Sequence, residues 1–157
     1  DLRYDVLGST NTNDGDATST TATNPVANTL MAALPSDLRA VMQPMTIYTD
    51  NVGGGSNTAS NVTTSVDYLP LLAEYEIFGS RSYANSTEQT YQAQYQYFKN
   101  GNSKVKYRDS STSTAAYWWE RSPYYDDSSR FCRVDSNGNA IFSGARYSYG
   151  LAPAFRV

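Results

Sequence analysis

The sequence predicts an α+β fold with two or three helices around a small antiparallel sheet. Segments with helix caps and apolar residues at helical spacing lie between residues 24 and 100. Short strand-like segments lie before, between and after them, and two of these are joined by an Asn-Gly turn. The 157 residues are enough for one domain, residues 1–157, with a core of its own.

Helices are predicted where caps and breakers frame apolar residues. Asn24 is the predicted N-cap of the first helix, and Pro25 follows in the first turn, where a missing N–H costs nothing. The second helix is predicted over Ser36–Met42, because Pro44 cannot continue it.

The longest predicted helix runs from the capping box Ser86–Gln89 to about Asn100. Tyr91, Tyr95 and Phe98 share one face of this helix at helical spacing. We therefore expect these three aromatic side chains to pack in the core.

Strands are predicted from short β-branched or apolar runs bounded by turn residues. They are Leu2–Leu7, Met45–Thr49, Phe131–Val134, Asn139–Phe142 and Tyr68–Leu72, the last of which is expected to be buried. Lys104–Tyr107 is predicted as a short polar strand or a turn. Residues 1–24 thus form a strand and the polar loop Gly8–Thr23, and Asn51–Asn61 is a second loop. A helical turn that ends at Gly79 contains Glu74 and Glu76, which are expected to be solvated.

Composition excludes several classes of function. The net charge of −3 and the pI near 4.8 provide no basic field for nucleic acid or anionic lipid. No apolar run is long enough to span a bilayer, so membrane insertion is not expected. Because the chain has no histidine, serine–histidine and cysteine–histidine catalysis and histidine-type zinc sites are excluded. We predict no enzyme, no cofactor and no metal.

Alternatives remain open for two acidic segments and the single cysteine. Asp126 and Asp127 are candidates for a general acid and base. Asp135–Gly138 also resembles the start of a calcium loop, to which the same two residues would add carboxylates. The same four residues also form a good hairpin turn, and the closing Glu of a calcium loop is missing, which favours the turn. Cys132 is interpreted as an unpaired surface or edge-strand residue, with a reactive thiolate as the alternative.

The functional prediction centres on the C-terminal end, Tyr117–Val157. Trp118 and Trp119 are predicted buried anchors, and Arg121 is predicted to hold a loop through hydrogen bonds to backbone carbonyls. The run after Pro123 is rich in Tyr, Ser, Asp, Asn, Arg and Gly, which is typical of recognition surfaces. We predict a displayed ligand-binding face there. Its predicted contact residues are Tyr124, Tyr125, Asp126, Asp127, Ser128, Arg130, Arg133, Asp135, Asn137, Asn139, Phe142, Ser143, Arg146, Tyr147 and Tyr149.

A gap in composition coincides with this face. Residues 124–157 contain no Lys, Glu, Gln, Met or Trp, although these types supply 17 of the preceding 123 residues. They are the amino acids that no codon ending in a pyrimidine encodes. A segment rewritten at adenines within AAC-like codons has this composition, and so does a segment with a local composition bias. The first interpretation predicts a near-identical repeat in the neighbouring DNA, beside a reverse transcriptase.

Several segments carry a resemblance to a known family. They are Leu34–Arg39, Glu74–Gly79, Trp118–Pro123, Val134, Gly138 and Gly150–Phe155. With these residues the chain resembles the C-type-lectin-fold domains of gut bacteria and their phages, which end in a WWxRSP…V…G…GxxPAF pattern. Some of those domains are the variable proteins of diversity-generating retroelements. Glu120 occupies a position where that family often has an apolar residue.

The resemblance implies a C-type-lectin-like fold whose N- and C-terminal strands pair, here Leu2–Leu7 with Leu151–Val157. It also implies that residues 117–157 form a variable region, in which fixed scaffold positions alternate with mutagenised, displayed ones. The sugar-binding calcium motifs of animal lectins, Glu-Pro-Asn and Trp-Asn-Asp, do not occur in the sequence, which argues against calcium-dependent carbohydrate binding.

The implied protein is a receptor-binding domain, the C-terminal part of a longer phage tail fibre or bacterial adhesin. Its expected location is the virion tail tip or the cell surface. A host cell-surface protein or glycan is the expected partner, and a homo-oligomer such as a trimer, formed through the parent protein, is compatible with it. The alternative is a structural virion or tail module that uses the same face for assembly.

Overall fold

The structure, a computed structural model, describes residues 30–53, 56–110 and 112–157. The chain divides into two compact units, of which the first comprises Asp1–Ile47, Thr64–Pro70 and Pro153–Val157. The second comprises Tyr48–Thr63 and Leu71–Ala152. The predicted strand Leu2–Leu7, the loop Gly8–Thr23 and the cap at Asn24 lie outside the described residues, and so does the predicted pairing of the two terminal strands. The C-terminal strand predicted over Leu151–Val157 is wrong, because only Gly150–Leu151 forms a strand and the residues after it make isolated bridges.

The first unit contains two short helices, α1 (Leu30–Ala33) and α2 (Ser36–Val41). Helix α2 confirms the prediction to within one residue and ends before the proline that was expected to stop it. Met31, Met42 and Leu69 are buried in this unit. The chain end is held by backbone hydrogen bonds, including one from the Gln43 N–H to the Arg156 carbonyl at 2.8 Å.

Strands β1 (Met45–Asp50) and β2 (Val62–Asp67) pair in a two-stranded sheet. The prediction of β1 is confirmed. The strand predicted at Tyr68–Leu72 is wrong, because the chain bends at that segment and the strand that pairs with β1 lies before it, at Val62–Asp67. Residues 62–66 of β2 are mostly β-branched and suit a strand, whereas Pro70 lacks the N–H that a ladder requires. The predicted burial of this segment is confirmed at Leu69 and Leu71.

The second unit contains α3 (Glu74–Phe78), α4 (Glu88–Tyr91) and α5 (Gln96–Lys99). Helix α3 ends at Gly79 as predicted, with φ of 68°, a left-handed conformation that glycine adopts without strain. No helix of the described residues is long and apolar enough to cross a membrane.

The single helix predicted over residues 86–100 is wrong, because the chain is extended between α4 and α5. Three hydrogen bonds to other elements replace the helical ladder there. The Gln92 side chain donates to the Tyr48 carbonyl at 2.9 Å, and the Gln94 side chain donates to the Ile77 carbonyl at 3.0 Å. The Tyr95 N–H donates to the carbonyl of Glu76 at 2.9 Å. These tertiary bonds override the local helix propensity.

The break changes which aromatic side chains are buried. Phe98 is buried as predicted, but Tyr91 and Tyr95 are 54% and 40% exposed. The expected common face therefore does not form, and Tyr91 instead stacks on Tyr48 with ring centroids 4.5 Å apart.

Six further strands lie in the described part of the second unit. They are β3 (Lys106–Tyr107), β4 (Ala115–Ala116), β5 (Trp118–Pro123), β6 (Arg130–Val134), β7 (Ala140–Gly144) and β8 (Gly150–Leu151). Strands β3 and β4 form a small hairpin, and the others form a sheet in the order β7-β6-β5-β8. Pairing is antiparallel except between β5 and β8, which are parallel. The fold class is thus α+β, as predicted, but the described residues contain five short α-helices instead of two or three, and the four-stranded sheet is mixed instead of wholly antiparallel.

The core of this unit is built from buried residues of α3, α5, β5 and β6, namely Ile77, Phe98, Trp118 and Val134. Strands β6 and β7 are joined by the predicted hairpin turn at Asp135–Gly138. Gly138 has φ of 85°, and the Asp135 carboxylate accepts the N–H groups of Asn137 and Asn139 at 2.8 and 2.9 Å. The turn interpretation is therefore confirmed.

Candidate ligand-binding site

An irregularity in β5 shapes the interior beneath the candidate site. Trp118 and Trp119 are 1% and 3% exposed, which confirms their prediction as anchors. Between Trp119 and Pro123 strand β5 advances four residues, while β6 advances only two, from Arg133 to Phe131. A bulge of this kind re-aims side chains. It carries three consecutive polar residues of β5 into a largely buried region.

Arg121, the central residue of the bulge, forms a bidentate salt bridge with Glu76 of α3. The two guanidinium–carboxylate distances are 2.6 and 2.7 Å, and both side chains are about one-tenth exposed. Arg121 also donates to the Leu71 and Tyr48 carbonyls, which confirms its predicted role in holding backbone, and to the Thr49 hydroxyl. The expectation that Glu76 is solvated is wrong, because it pairs with this cation and caps α3.

Glu74 is likewise buried rather than solvated, at 0% exposure. Its carboxylate accepts the backbone N–H groups of Ser82, Tyr83 and Ala84 at 2.7–3.2 Å. The Tyr83 N–H contacts both carboxylate oxygens, and the other two N–H groups contact one each. These hydrogen bonds satisfy the buried carboxylate and fix the loop that follows α3. That loop presents Tyr83 beside the aromatic residues described below.

Glu88 is also buried, and its carboxylate accepts three hydrogen bonds. It accepts the Ser122 hydroxyl at 2.6 Å, the Asp50 N–H at 2.8 Å and the Gln92 side chain at 3.3 Å. Burial raises the pKa of Glu88, and these hydrogen bonds, together with the charge of Arg121, oppose the rise.

Glu120 differs from the other three glutamates because both of its carboxyl oxygens are buried without a hydrogen-bond partner. Burial raises the pKa of Glu120 well above its ordinary value of 4.5, and the neighbouring charges of Glu74 and Glu88 raise it further, while Arg121 lowers it. We call the hydrogen-bonded residues Glu74, Glu76, Glu88, Arg121 and Ser122 the buried polar network.

Cys132 lies in the same interior. It is fully buried on β6, between β5 and β7, so its interpretation as a surface or edge-strand residue is wrong. Burial, followed by the charge of Glu120, raises the pKa of the Cys132 thiol well above its ordinary value. Thiolate chemistry is therefore disfavoured at this position.

A pocket of about 280 Å³ opens beside the end of β7, and we call it the hairpin pocket. Its lining residues are Ser129, Arg130, Phe142, Ser143, Gly144, Arg146 and Tyr147. Five of these seven residues belong to the predicted contact set. The pocket lies at the open end of the β6–β7 hairpin, where Arg130 is paired with Gly144.

Phe142 of the pocket lining is held in an aromatic stack. Tyr124 and Phe142 lie face to face, with ring centroids 4.2 Å apart and planes 3° from parallel. Tyr83 meets Phe142 edge-on at 5.1 Å. The guanidinium of Arg130 lies 5.1 Å from the centroid of the Phe142 ring and is paired with Asp127 at 2.9 Å. These contacts hold Arg130 and Phe142 in place before any ligand arrives.

A second stack contacts the pocket lining at Ser143. Arg133 is only 8% exposed and lies 4.2 Å from the Tyr117 ring centroid and 4.9 Å from that of Tyr149. Its Nε donates to the Ser143 hydroxyl at 2.6 Å. Tyr149 in turn contacts Trp119 at 4.9 Å, with 52° between the ring planes, and stacks on Tyr147 at 6.0 Å. Trp119 is thereby linked to the pocket rim, by which we mean the exposed residues Ser128, Ser129, Arg146 and Tyr147.

The predicted contact residues divide into four groups by position. Arg130, Phe142, Ser143, Arg146 and Tyr147 line the pocket. Tyr124, Tyr125, Asp126, Asp127, Ser128 and Tyr149 lie next to that lining in sequence or through ring and ion-pair contacts. Arg133 is buried behind the lining. Asp135, Asn137 and Asn139 occupy the turn at the opposite end of the hairpin, roughly 13 Å away at the usual rise per strand residue.

Nothing in the described part of the chain forms a cluster of three or more acidic, cysteine or histidine side chains able to hold a metal ion. The Asp135 carboxylate is occupied by hydrogen bonds within its turn, including one from the Asn139 side chain at 3.2 Å. Asp127 accepts the Ser129 N–H and hydroxyl at 2.8 and 2.6 Å. The two acidic segments thus serve turns in this structure.

Sequence reasoning missed Ser129 and Gly144 in the lining, and it missed the buried polar network. Ser129 stands between two predicted contact residues, so its position in the displayed run was an available signal. The sequence contains one signal of the network, Arg121 close to the two tryptophans, because a buried cation is stable only with hydrogen-bond acceptors or a carboxylate around it. Nothing in the local sequence indicates which glutamate supplies the carboxylate.

The comparisons with known proteins place the chain in a family without assigning an activity. A family model described as a domain of unknown function (DUF6273) matches residues 22–157, which is most of the chain. No curated protein and no solved structure matches it. The chain therefore belongs to the DUF6273 family.

Proposed function

We propose that this chain is a ligand-binding domain of the C-type-lectin type, carried on a phage tail fibre or a bacterial surface adhesin. The hairpin pocket and its rim are the binding surface, and a host cell-surface protein or glycan is the ligand. The observation that carries the proposal is the coincidence of the pocket lining with the Tyr-, Arg- and Ser-rich run of the C-terminal segment.

The pocket has the make-up of a recognition site. Aromatic rings, guanidinium groups and hydroxyl groups converge on a concavity whose lining is mostly polar, and Tyr, Arg and Ser are typical of recognition surfaces. Tyr147 is 47% exposed at the rim, and Arg146 beside it is also exposed. Residues of this kind supply most of the binding energy in recognition surfaces.

The same arrangement supports diversification of the segment. The exposed rim residues Ser128, Arg146 and Tyr147 have no hydrogen bond with the buried polar network. Substitution at such positions changes stability little, usually within about 0.5 kcal/mol. The missing Lys, Glu, Gln, Met and Trp over residues 124–157 agree with rewriting at adenines. We therefore propose that this segment is the variable region of a diversity-generating retroelement.

Replacing Tyr147 with alanine is expected to reduce binding of the domain to intact gut-bacterial cells by roughly thirtyfold or more, the range of an aromatic hot spot. Its melting temperature is expected to change little, because the ring is half exposed. Tyr107→Ala is the matched control, since Tyr107 is also 47% exposed but lies on β3, outside the pocket. Binding of labelled domain to a panel of strains measures the effect.

Equal binding by the Tyr147→Ala and Tyr107→Ala domains would contradict the proposal. So would a wild-type domain that binds no strain but self-associates in sedimentation, if the Tyr147→Ala domain sediments as a monomer. That second result would instead indicate an assembly module.

A further inference from the structure

We propose that the hairpin pocket binds a sugar ring that carries one negatively charged group, a carboxylate or a sulfate. This inference rests on the proposed function and specifies the ligand of the same site. It follows from the charge balance of the pocket, its size and the chemistry of its lining.

The charge balance is uneven. Arg130 is neutralised by Asp127 at 2.9 Å. Arg146 uses one N–H, to the Tyr147 hydroxyl at 3.1 Å, and forms no salt bridge with any residue that the structure describes. The pocket thus keeps the positive charge of Arg146, with unused N–H donors at its rim.

A second cation lies behind the lining. Arg133 is 8% exposed, forms no salt bridge within the described residues, and has a buried Nη1 without a hydrogen-bond partner there. Its Nε donates to the hydroxyl of Ser143, which lines the pocket. The Arg133 guanidinium lies over the rings of Tyr117 and Tyr149, and its charge helps to lower the pKa of Asp135. A ligand anion in the pocket would supply charge complementary to Arg146, beside the Ser143 hydroxyl that Arg133 holds in place.

The size and lining favour a sugar over a peptide segment. A volume of about 280 Å³ is just below the range of roughly 300–1,000 Å³ for drug-sized ligands, so the pocket suits one ring. Tyr147 is half exposed at the pocket, with the Arg146 guanidinium 5.0 Å from its ring centroid and Tyr149 stacked on it at 6.0 Å, so a ligand that reaches Arg146 lies beside this ring. The Ser129 hydroxyl oxygen, which donates its proton to Asp127, retains lone pairs for a sugar hydroxyl.

The test is an NMR titration of the 157-residue chain with glucuronate, galactose 6-sulfate, and the neutral sugars glucose and galactose. We expect at least one acidic sugar to bind at the pocket residues about tenfold or more tightly than its neutral counterpart, and binding to weaken with added salt. Arg146→Gln is expected to reduce that affinity by about tenfold or more. Arg108→Gln, at an exposed arginine outside the pocket, is expected to leave it unchanged. The two acidic sugars distinguish a carboxylate from a sulfate.

Three results would overturn the inference. They are equal affinity for acidic and neutral sugars, no binding of either acidic sugar, and tighter binding of a tetraglutamate peptide than of both. Each leaves the proposed function standing if the wild-type domain still binds bacterial cells through Tyr147. A domain that binds no cells refutes the proposed function itself, so the two failures are distinguishable.

Discussion

Replacing Arg121 with methionine is expected to destabilise the domain by about 3–5 kcal/mol, the cost of breaking a buried salt bridge from one side. Methionine retains the apolar volume but leaves the Glu76 carboxylate buried without the guanidinium that it contacts at 2.6 and 2.7 Å. The Leu71 and Tyr48 carbonyls lose a donor at the same time. Urea unfolding followed by circular dichroism measures the destabilisation.

A second variant separates the ion pair from packing. Glu76→Gln combined with Arg121→Met is expected to be less destabilising than Arg121→Met alone, because no uncompensated charge remains, and the glutamine carbonyl can still accept the Ala73 N–H. Arg108→Met, at an exposed arginine, controls for removal of a positive charge. A destabilisation below about 1 kcal/mol for Arg121→Met would mean that the salt bridge is no better than an exposed one.

Replacing Glu120 with glutamine is expected to stabilise the domain increasingly as the pH rises. In the unfolded chain the carboxyl ionises near its ordinary pKa of 4.5, but in the folded protein burial keeps it protonated to higher pH. Between these two pKa values the unfolded state binds fewer protons, so the wild type loses about 1.4 kcal/mol per pH unit relative to the variant. Below pH 4.5 the two proteins should be similar, and above the folded pKa the difference should level off.

The measurement is the difference in unfolding free energy between wild type and Glu120→Gln across pH. Taking the difference removes the contribution of the other acidic groups. Asp126→Asn, at an exposed carboxylate, controls for removal of a negative charge. Glu120→Leu should stabilise further, since it also removes the two buried oxygens that lack partners. A difference that is flat with pH would show that Glu120 is hydrated or paired in solution.

Local signals predicted the elements that depend on local chemistry. Pro44 and Gly79 stop their helices, and the Asp135–Gly138 turn closes its hairpin, because each conformation is set by a few neighbouring residues. The burial of Trp118 and Trp119 was also predictable, because large apolar side chains are usually removed from water.

Predictions failed where distant residues decide the outcome. The helix over residues 86–100 is interrupted by hydrogen bonds to Tyr48, Ile77 and Glu76, which no local pattern reveals. The glutamates of α3 were expected to be solvated because charged residues rarely lie inside, and only the fold brings Arg121 within 2.6 Å of Glu76. Within the candidate site, Arg133 was predicted as a ligand contact because it lies in the Tyr- and Arg-rich segment. In the structure it pairs with Trp119 in the sheet, and its guanidinium lies 4.9 Å from the Tyr149 ring centroid.

The central claim is that the buried polar network holds the fold while the pocket rim is free to change. The most direct test is the unfolding free energy of a triple variant, Ser129→Ala, Arg146→Ala and Tyr147→Ala, measured beside Arg121→Met. The account predicts that the triple variant unfolds within about 1.5 kcal/mol of the wild type, as exposed positions do, yet no longer binds cells. A triple variant that is destabilised as much as Arg121→Met would contradict it.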